Sequence, residues 1–307
     1  MKIRIAHLTD LHIGPIVGFT PRHWNVKRAL GYANWQRKRR NIHLPEVIDR
    51  LVGDIREQDP DHWVITGDLV NIGLPAEYER AAQWLQSLGP PEKVSVVPGN
   101  HDVYTTLWTD PGSARWQAYM NSDRWGGGHG GGEAEFPFVR RVGEVAVVGV
   151  NSAVPTPPGL ATGLVGWRQC HRLEGALSAL GATAAFRLVM LHHPPLYGLA
   201  DFRRRLRDAH ELEAVLAHAG AELILYGHNH RNKLDWFEGG GKRVPVVGLC
   251  STSSGRSWHG EGLGRYNLYD IERRADVWRI EIIGRGLTDG SDRIVELDRH
   301  VLEVDAA

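Results

Sequence analysis

"ELILYGHNHR", residues 222–231, runs a four-residue apolar strand straight into a glycine and then into two histidines separated by one asparagine. If the backbone stayed extended, His228 and His230 would project to the same side. The apolar run does not alternate, as expected of a strand covered on both faces of a largely parallel sheet. The same grammar recurs. "IRIAHL" leads into Thr9-Asp10-Leu11-His12, "HWVIT" into Gly67-Asp68, "VSVV" into Pro98-Gly99-Asn100-His101-Asp102, and "RLVML" into His192-His193-Pro194. Another apolar run, "VAVVGV", occupies 145–150. Between these strands, Val47, Ile48, Leu51, Val52 and Ile55 fall at helical spacing, as do Tyr78, Ala81, Ala82, Leu85 and Leu88. Helices are also expected at 166–179 and 208–218. After Arg231 the pattern alternates, with strands expected near 234–237, 244–249, 265–271 and 276–283. The fold class is α/β with a β-rich end. No linker or repeat divides the chain, so one domain over 1–307 is expected, with an insertion at about 15–45 and a β-rich part at about 234–305. The strands from 265 onward are expected to finish the second sheet.

The chain has 307 residues, 42% of them hydrophobic, enough for a large core. Lys plus Arg number 36 and Asp plus Glu 36, which argues against a surface built to coat nucleic acid. Cys170 and Cys250 make no disulfide framework and no zinc spacing. With no apolar run long enough for a signal peptide or a membrane span, the expected location is the cytoplasm.

Five strand ends carry Asp10 and His12; Asp68; Asn100 and His101; His192; and His228 and His230. Each block alone reads as a polar turn or a helix-capping loop. Together they place oxygen and imidazole donors at the carboxyl ends of the strands, where open α/β sheets form their sites. That is more donors than one four-coordinate ion uses, and enough for a pair of ions sharing a carboxylate. A nitrogen and oxygen set without thiolate suits Zn, Mn or Fe.

"TDLH", "TGDLVN", "PGNHD", "LHHPP" and "YGHNH" resemble, in order, the five signature blocks of the calcineurin-like metallophosphoesterases, over about residues 3–250. The resemblance implies a four-layer α/β/β/α sandwich of two mixed sheets with a dinuclear site at the strand ends. It implies two divalent or mixed-valence ions, one on Asp10, His12 and His230, the other on Asn100, His192 and His228, with Asp68 bridging. The reaction implied is hydrolysis of a phosphate ester by a metal-bridging hydroxide. His101 would act over the substrate as imidazolium, held by Asp102, and His193 would touch substrate or orient its loop.

Substrate clues are fewer. "GNHD" resembles the cyclic-nucleotide and glycerophosphodiester branch, and differs from lipid-precursor pyrophosphatases that carry Arg where His101 stands. A small phosphodiester is the expected substrate. The pyrophosphatase, a nuclease and a non-catalytic protein-binding scaffold are the other readings. From Leu11 to Pro45 there is no acidic residue, while Arg22, Lys27, Arg28, Arg37, Lys38, Arg39 and Arg40 are basic and Trp24, Tyr32 and Trp35 lie among them. This insertion reads as a solvated helix, as a segment overhanging the site, or, through 22–40, as a dock for an anionic membrane surface or lipid. "WGGGHGGGE", 125–133, reads as a surface loop or a lid, and "DFRRRLRDAH", 201–210, as a charged helix face from which one arginine reaches substrate.

Overall fold

The structure, a computed structural model, describes residues 2–105, 110–123, 135–257, 260–288 and 293–306. The glycine-rich segment 125–133 lies outside these. The first half runs β1 (Lys2–Leu8), α1 (Val26–Arg37), α2 (Pro45–Glu57), β2 (His62–Ile65), α3 (Pro75–Leu88), β3 (Val94–Val96), β4 (Phe138–Val142) and β5 (Val145–Gly149). There follow α4 (Trp167–Gly181), β6 (Phe186–Met190), α5 (Ala209–Ala219), β7 (Leu223–Tyr226), β8 (Lys233–Gly239) and β9 (Lys242–Gly248). The chain closes with β10 (Arg265–Arg274), β11 (Val277–Gly286) and β12 (Val295–Asp305).

Two six-stranded sheets result, ordered β12-β11-β10-β1-β2-β3 and β4-β5-β6-β7-β9-β8. β1, β2 and β3 are mutually parallel, as are β5, β6, β7 and β9, while the outer strands are antiparallel. Both sheets are therefore mixed. The unbroken apolar runs now have their reason. In β6, Leu188 and Met190 enter the core between the sheets, while Val189 faces the α4–α5 layer; in β7, Leu223 and Leu225 point inward and Ile224 and Tyr226 outward. On the other side, Val47, Ile48, Leu51 and Ile55 of α2 and Tyr78, Ala81 and Leu85 of α3 pack against the β1–β3 sheet. The layers are α/β/β/α.

The structure corrects the sequence in three places. β10, β11 and β12 extend the sheet begun by β1 and do not complete the second one, because β10 pairs antiparallel with β1 from Lys2↔Glu272 to His7↔Asn267. β4 and β12 are strands that periodicity does not show. β12 is a sheet edge whose residues are mostly exposed, so it lacks an apolar signature. Residues 201–208 are not helical. Arg204 N–H and Arg205 N–H close a turn on Asp201 O, Ala161 N–H and Gly163 N–H bridge the stretch through Arg203 O and Arg205 O, and α5 begins only at Ala209.

At the end of the strands remote from the candidate ligands, Arg187 (3% exposed) grips Glu222 (0%) through Nε at 2.9 Å and Nη2 at 2.7 Å, and Lys242 adds a third contact. Losing one member leaves an under-compensated buried charge. Arg187→Met is expected to cost about 3 kcal/mol in denaturant unfolding while metal content stays at the wild-type level.

Candidate metal centre

Every candidate residue lies just past the carboxyl end of a parallel strand. Asp10 and His12 follow β1, Asp68 follows β2, Asn100 and His101 follow β3, His192 follows β6, and His228 and His230 follow β7. The loops are laced together: Asp10 N–H donates to Gly67 O and His12 N–H to Asp68 O, both at 2.9 Å, and Gly227 N–H donates to His192 O at 3.0 Å. His228 and His230 are not in extended backbone. Asp10, His12, Asp68, His228 and His230 have φ of 50°, 42°, 57°, 67° and 51°. Left-handed backbone in non-glycine residues is sparse and costs free energy, so its concentration here marks a built site. Asn229 turns away and donates to Leu199 O at 2.8 Å. Gly227 has to be glycine, since a Cβ there would stand 2.0 Å from Thr9 Oγ1.

The imidazoles share one plan. His12 has Nδ1 on Val70 O at 3.2 Å, His192 has Nδ1 on Thr66 O at 2.7 Å, His230 has Nδ1 on Glu261 at 3.0 Å, and His228 has Nε2 on Arg204 O at 3.0 Å. Each outer nitrogen thus carries its proton to an oxygen acceptor, which leaves each inner nitrogen as the one a cation would take, in place of any proton held there, as in metal-binding histidines. The inner nitrogens converge. His230 Nε2 lies 3.1 Å from Asp10 Oδ1, His192 Nε2 3.4 Å from Asp68 Oδ2 and 3.1 Å from Asn100 Oδ1, and His228 Nδ1 3.2 Å from His192 Nε2. His12 Nε2, fully buried and unpartnered, sits 3.9 Å from Asp68 Oδ2. Donor atoms of Asp10, His12 and His230, of His12, Asp68 and His101, and of Asp10, Asp68 and His192 each fall within 4.8 Å of one another and could hold metal ions.

Charge is concentrated here. Burial raises the Asp68 carboxyl, but the neighbouring His192 overcomes it and holds it well below the usual carboxylate range. Burial lowers His192 and His230, and Asp68 and Asp10 respectively reverse this, raising each to about 9. Burial and then His43 hold His12 well below its ordinary value.

His101 departs from expectation. Its Nδ1 donates to Asn71 O, Arg39 Nη1 lies against the ring, 3.0 Å from Nε2 and 3.4 Å from Nδ1, and burial followed by the Arg39 charge lowers it to about 3. It is a neutral imidazole, not an imidazolium. Asp102 does not hold it. Asp102 Oδ2 accepts from the backbone N–H of Asp68 and Gly99, both at 2.8 Å, and Oδ1 from Leu69 at 2.9 Å and Val70 at 3.1 Å. Burial and Asp68 push Asp102 up to about 7, yet both oxygens face only donors, so the geometry requires a carboxylate. Of the two roles expected of His193, the geometry favours orienting its loop over touching substrate. It is 0% exposed, bonds Ser152 Oγ at 2.8 Å and packs behind His228 at 4.5 Å between ring centres, so it supports the loop and does not meet substrate.

Asp68, Asn100, His228 and His230 face a cavity of about 420 Å³. Its walls include Lys27, Trp35 and Arg39 from the basic insertion, Leu160, and Arg203 and Arg204. The insertion overhangs the site because Arg28 is driven into Ile72 O and Gly73 O and Lys27 Nζ reaches Thr156 O at 2.8 Å. Two residues lining the cavity are not singled out by the sequence. Glu261 lies in a Ser/Gly-rich stretch with no strand before it, and Arg39 is one basic residue in a run of four. The small residues of "LCSTSSG", 249–255, shape the site as well, since Ser251 and Ser253 donate to Asp10 O at 2.6 and 3.1 Å and set the first ligand loop.

A two-sheet sandwich with Asp and His clusters at its strand ends defines the class, and similarity to known proteins agrees. Residues 3–232 match the calcineurin-like phosphoesterase model. The chain belongs to that family of phosphoester hydrolases. It is 28% identical over 234 residues to a protein from Synechococcus sp. named "Probable cyclic nucleotide phosphodiesterase", covering 75% of this chain and 74% of that one. It is 46% identical over 206 residues to the glycerophosphodiester phosphodiesterase GpdQ of Enterobacter lignolyticus, where the match spans 62% of each chain. The fold matches a dimetal phosphatase from Danio rerio at a TM-score of 0.61, 14% identity and 99% of both chains. No helix among the described residues is long and apolar enough to cross a membrane.

Proposed function

We propose that the chain is a phosphodiesterase for small substrates of the cyclic-nucleotide or glycerophosphodiester kind, working with two cations drawn from Mn, Fe and Zn. The observation that carries this is the common presentation of four imidazoles, outer nitrogen satisfied and inner nitrogen turned inward, onto Asp10, Asp68 or Asn100 for His230, His12 and His192 and onto His192 for His228. Asp10, His12 and His230 would hold one ion, Asn100, His192 and His228 the other, and Asp68 both. When bound, such a pair supplies a nucleophile ionised near neutral pH and offsets the charge of the phosphoryl group. The remaining work belongs to the chain. Glu261 and the carbonyls of Val70, Thr66 and Arg204 fix ring orientation and tautomer, and Asp102 fixes the Asp68 and Gly99 loops against each other. His101 holds a neutral Nε2 over the cavity. An anion beside it favours its protonated form, so it would gain a proton only with substrate in place and then give it to the departing alkoxide.

Chelator-treated protein is expected to lose hydrolysis of bis(p-nitrophenyl) phosphate and to recover it when Mn, Fe or Zn is restored. The metal-replete enzyme should show a higher kcat/KM on that diester than on p-nitrophenyl phosphate. A preference for the monoester would make it a phosphatase, and turnover insensitive to chelation would remove the metal mechanism. Cyclic AMP and glycerophosphodiesters, assayed side by side, separate the two substrate kinds.

A further inference from the structure

The four arginines buried among the described residues donate to oxygen, whereas the half-buried Arg39 does not. Arg28 donates to the carbonyls of Ile72, Gly73 and His23, Arg140 to those of Val94, Ala118 and Asn121, Arg187 to Glu222, and Arg265 to Asp298. The Arg39 guanidinium meets only nitrogen. Its Nη1 lies 3.0 Å from His101 Nε2 and 3.4 Å from Nδ1, and no hydrogen bond joins it to a carboxylate or carbonyl among the described residues. It faces the cavity shared by Asp68, Asn100, His228 and His230. A guanidinium offers five N–H groups in a planar fork that matches two oxygens of a phosphoryl group, and resting against an imidazole ring uses little of that capacity.

Resting on the phosphodiesterase reading, we infer that Arg39 is a substrate-binding residue. It carries an oxyanion subsite, supplied by the basic insertion, that takes a non-bridging phosphoryl oxygen on the cavity side. Arg39 moves from the His101 ring onto the phosphoryl anion. The cavity wall beside it is cationic as well, through Lys27, Arg203 and Arg204.

Calorimetric titration of the metal-replete enzyme with inorganic phosphate tests the subsite directly. Arg39→Ala is expected to raise the phosphate Kd roughly 10- to 100-fold, the range for losing a charge-assisted bond, and to lower kcat/KM on bis(p-nitrophenyl) phosphate to a similar degree with metal content intact. Arg39→Lys, which keeps the charge but not the fork, should fall between, and it decides by the same reading if Arg39→Ala loses metal. Arg22→Ala, exposed on the same insertion, should change neither constant. If both Arg39 variants bind phosphate like wild type while diester hydrolysis continues, the subsite is overturned and the phosphodiesterase reading stands. If wild type hydrolyses no diester yet Arg39→Ala still loses phosphate, the subsite stands and the phosphodiesterase reading falls.

Discussion

Asp68→Ala is expected to lower kcat/KM on a diester by roughly 10³-fold or more, because several kcal/mol of charge stabilisation lapses when a shared metal ligand is removed. Asp68 stands near both halves of the cluster, 3.9 Å from His12 Nε2 and 3.4 Å from His192 Nε2, while its other oxygen takes the His101 backbone N–H at 2.7 Å. Elemental analysis should show fewer than two ions per chain. Asp68→Asn keeps the shape and one oxygen, so it should retain more metal than Asp68→Ala but remain far below wild type. A variant that kept both ions and worked within tenfold of wild type would remove Asp68 from the shared position.

The second large effect is on stability. Asp102 is 1% exposed, and its two oxygens satisfy four backbone N–H groups from two loops. Each buried donor left unpaired costs about 1–3 kcal/mol, and partial relaxation keeps the sum below the full total, so Asp102→Ala should lose about 4 kcal/mol. Asp102→Asn fares little better, since its NH₂ points a donor at donors. Denaturant midpoints measured with and without metal separate this from catalysis. The loss should persist in the metal-free protein, whereas a residue acting only through His101 would leave the metal-free midpoint unchanged.

The fold and the ligand blocks were legible for the same reason. A doubly covered strand is largely apolar, so the polar residues just after it stand out, and after β1, β2, β3, β6 and β7 they include the candidate ligands. What could not be read has equally physical causes. The left-handed φ at His228 and His230 and the close approach of Gly227 to Thr9, more than two hundred positions away in the chain, leave no mark in the local sequence. Arg39 differs from Arg37 and Arg40 only by where the basic insertion folds. Asp102 belongs to a recognisable block, but its role depends on which N–H groups surround it. Segment 201–208 is rich in arginine, a good helix former, and is held as a turn bridged to residues 161–163.

The pairing of β10 with β1 governs the order of events during synthesis. The opening strand leaves the ribosome with one edge waiting for a mate some 260 residues later, and the carboxylate of Asp10 waits nearly as long for the His228 N–H at 2.9 Å. Contacts so distant along the chain form late and slowly. A nascent chain therefore exposes its acidic and imidazole groups separately for most of translation, and acquires a cation trap only when its last quarter arrives.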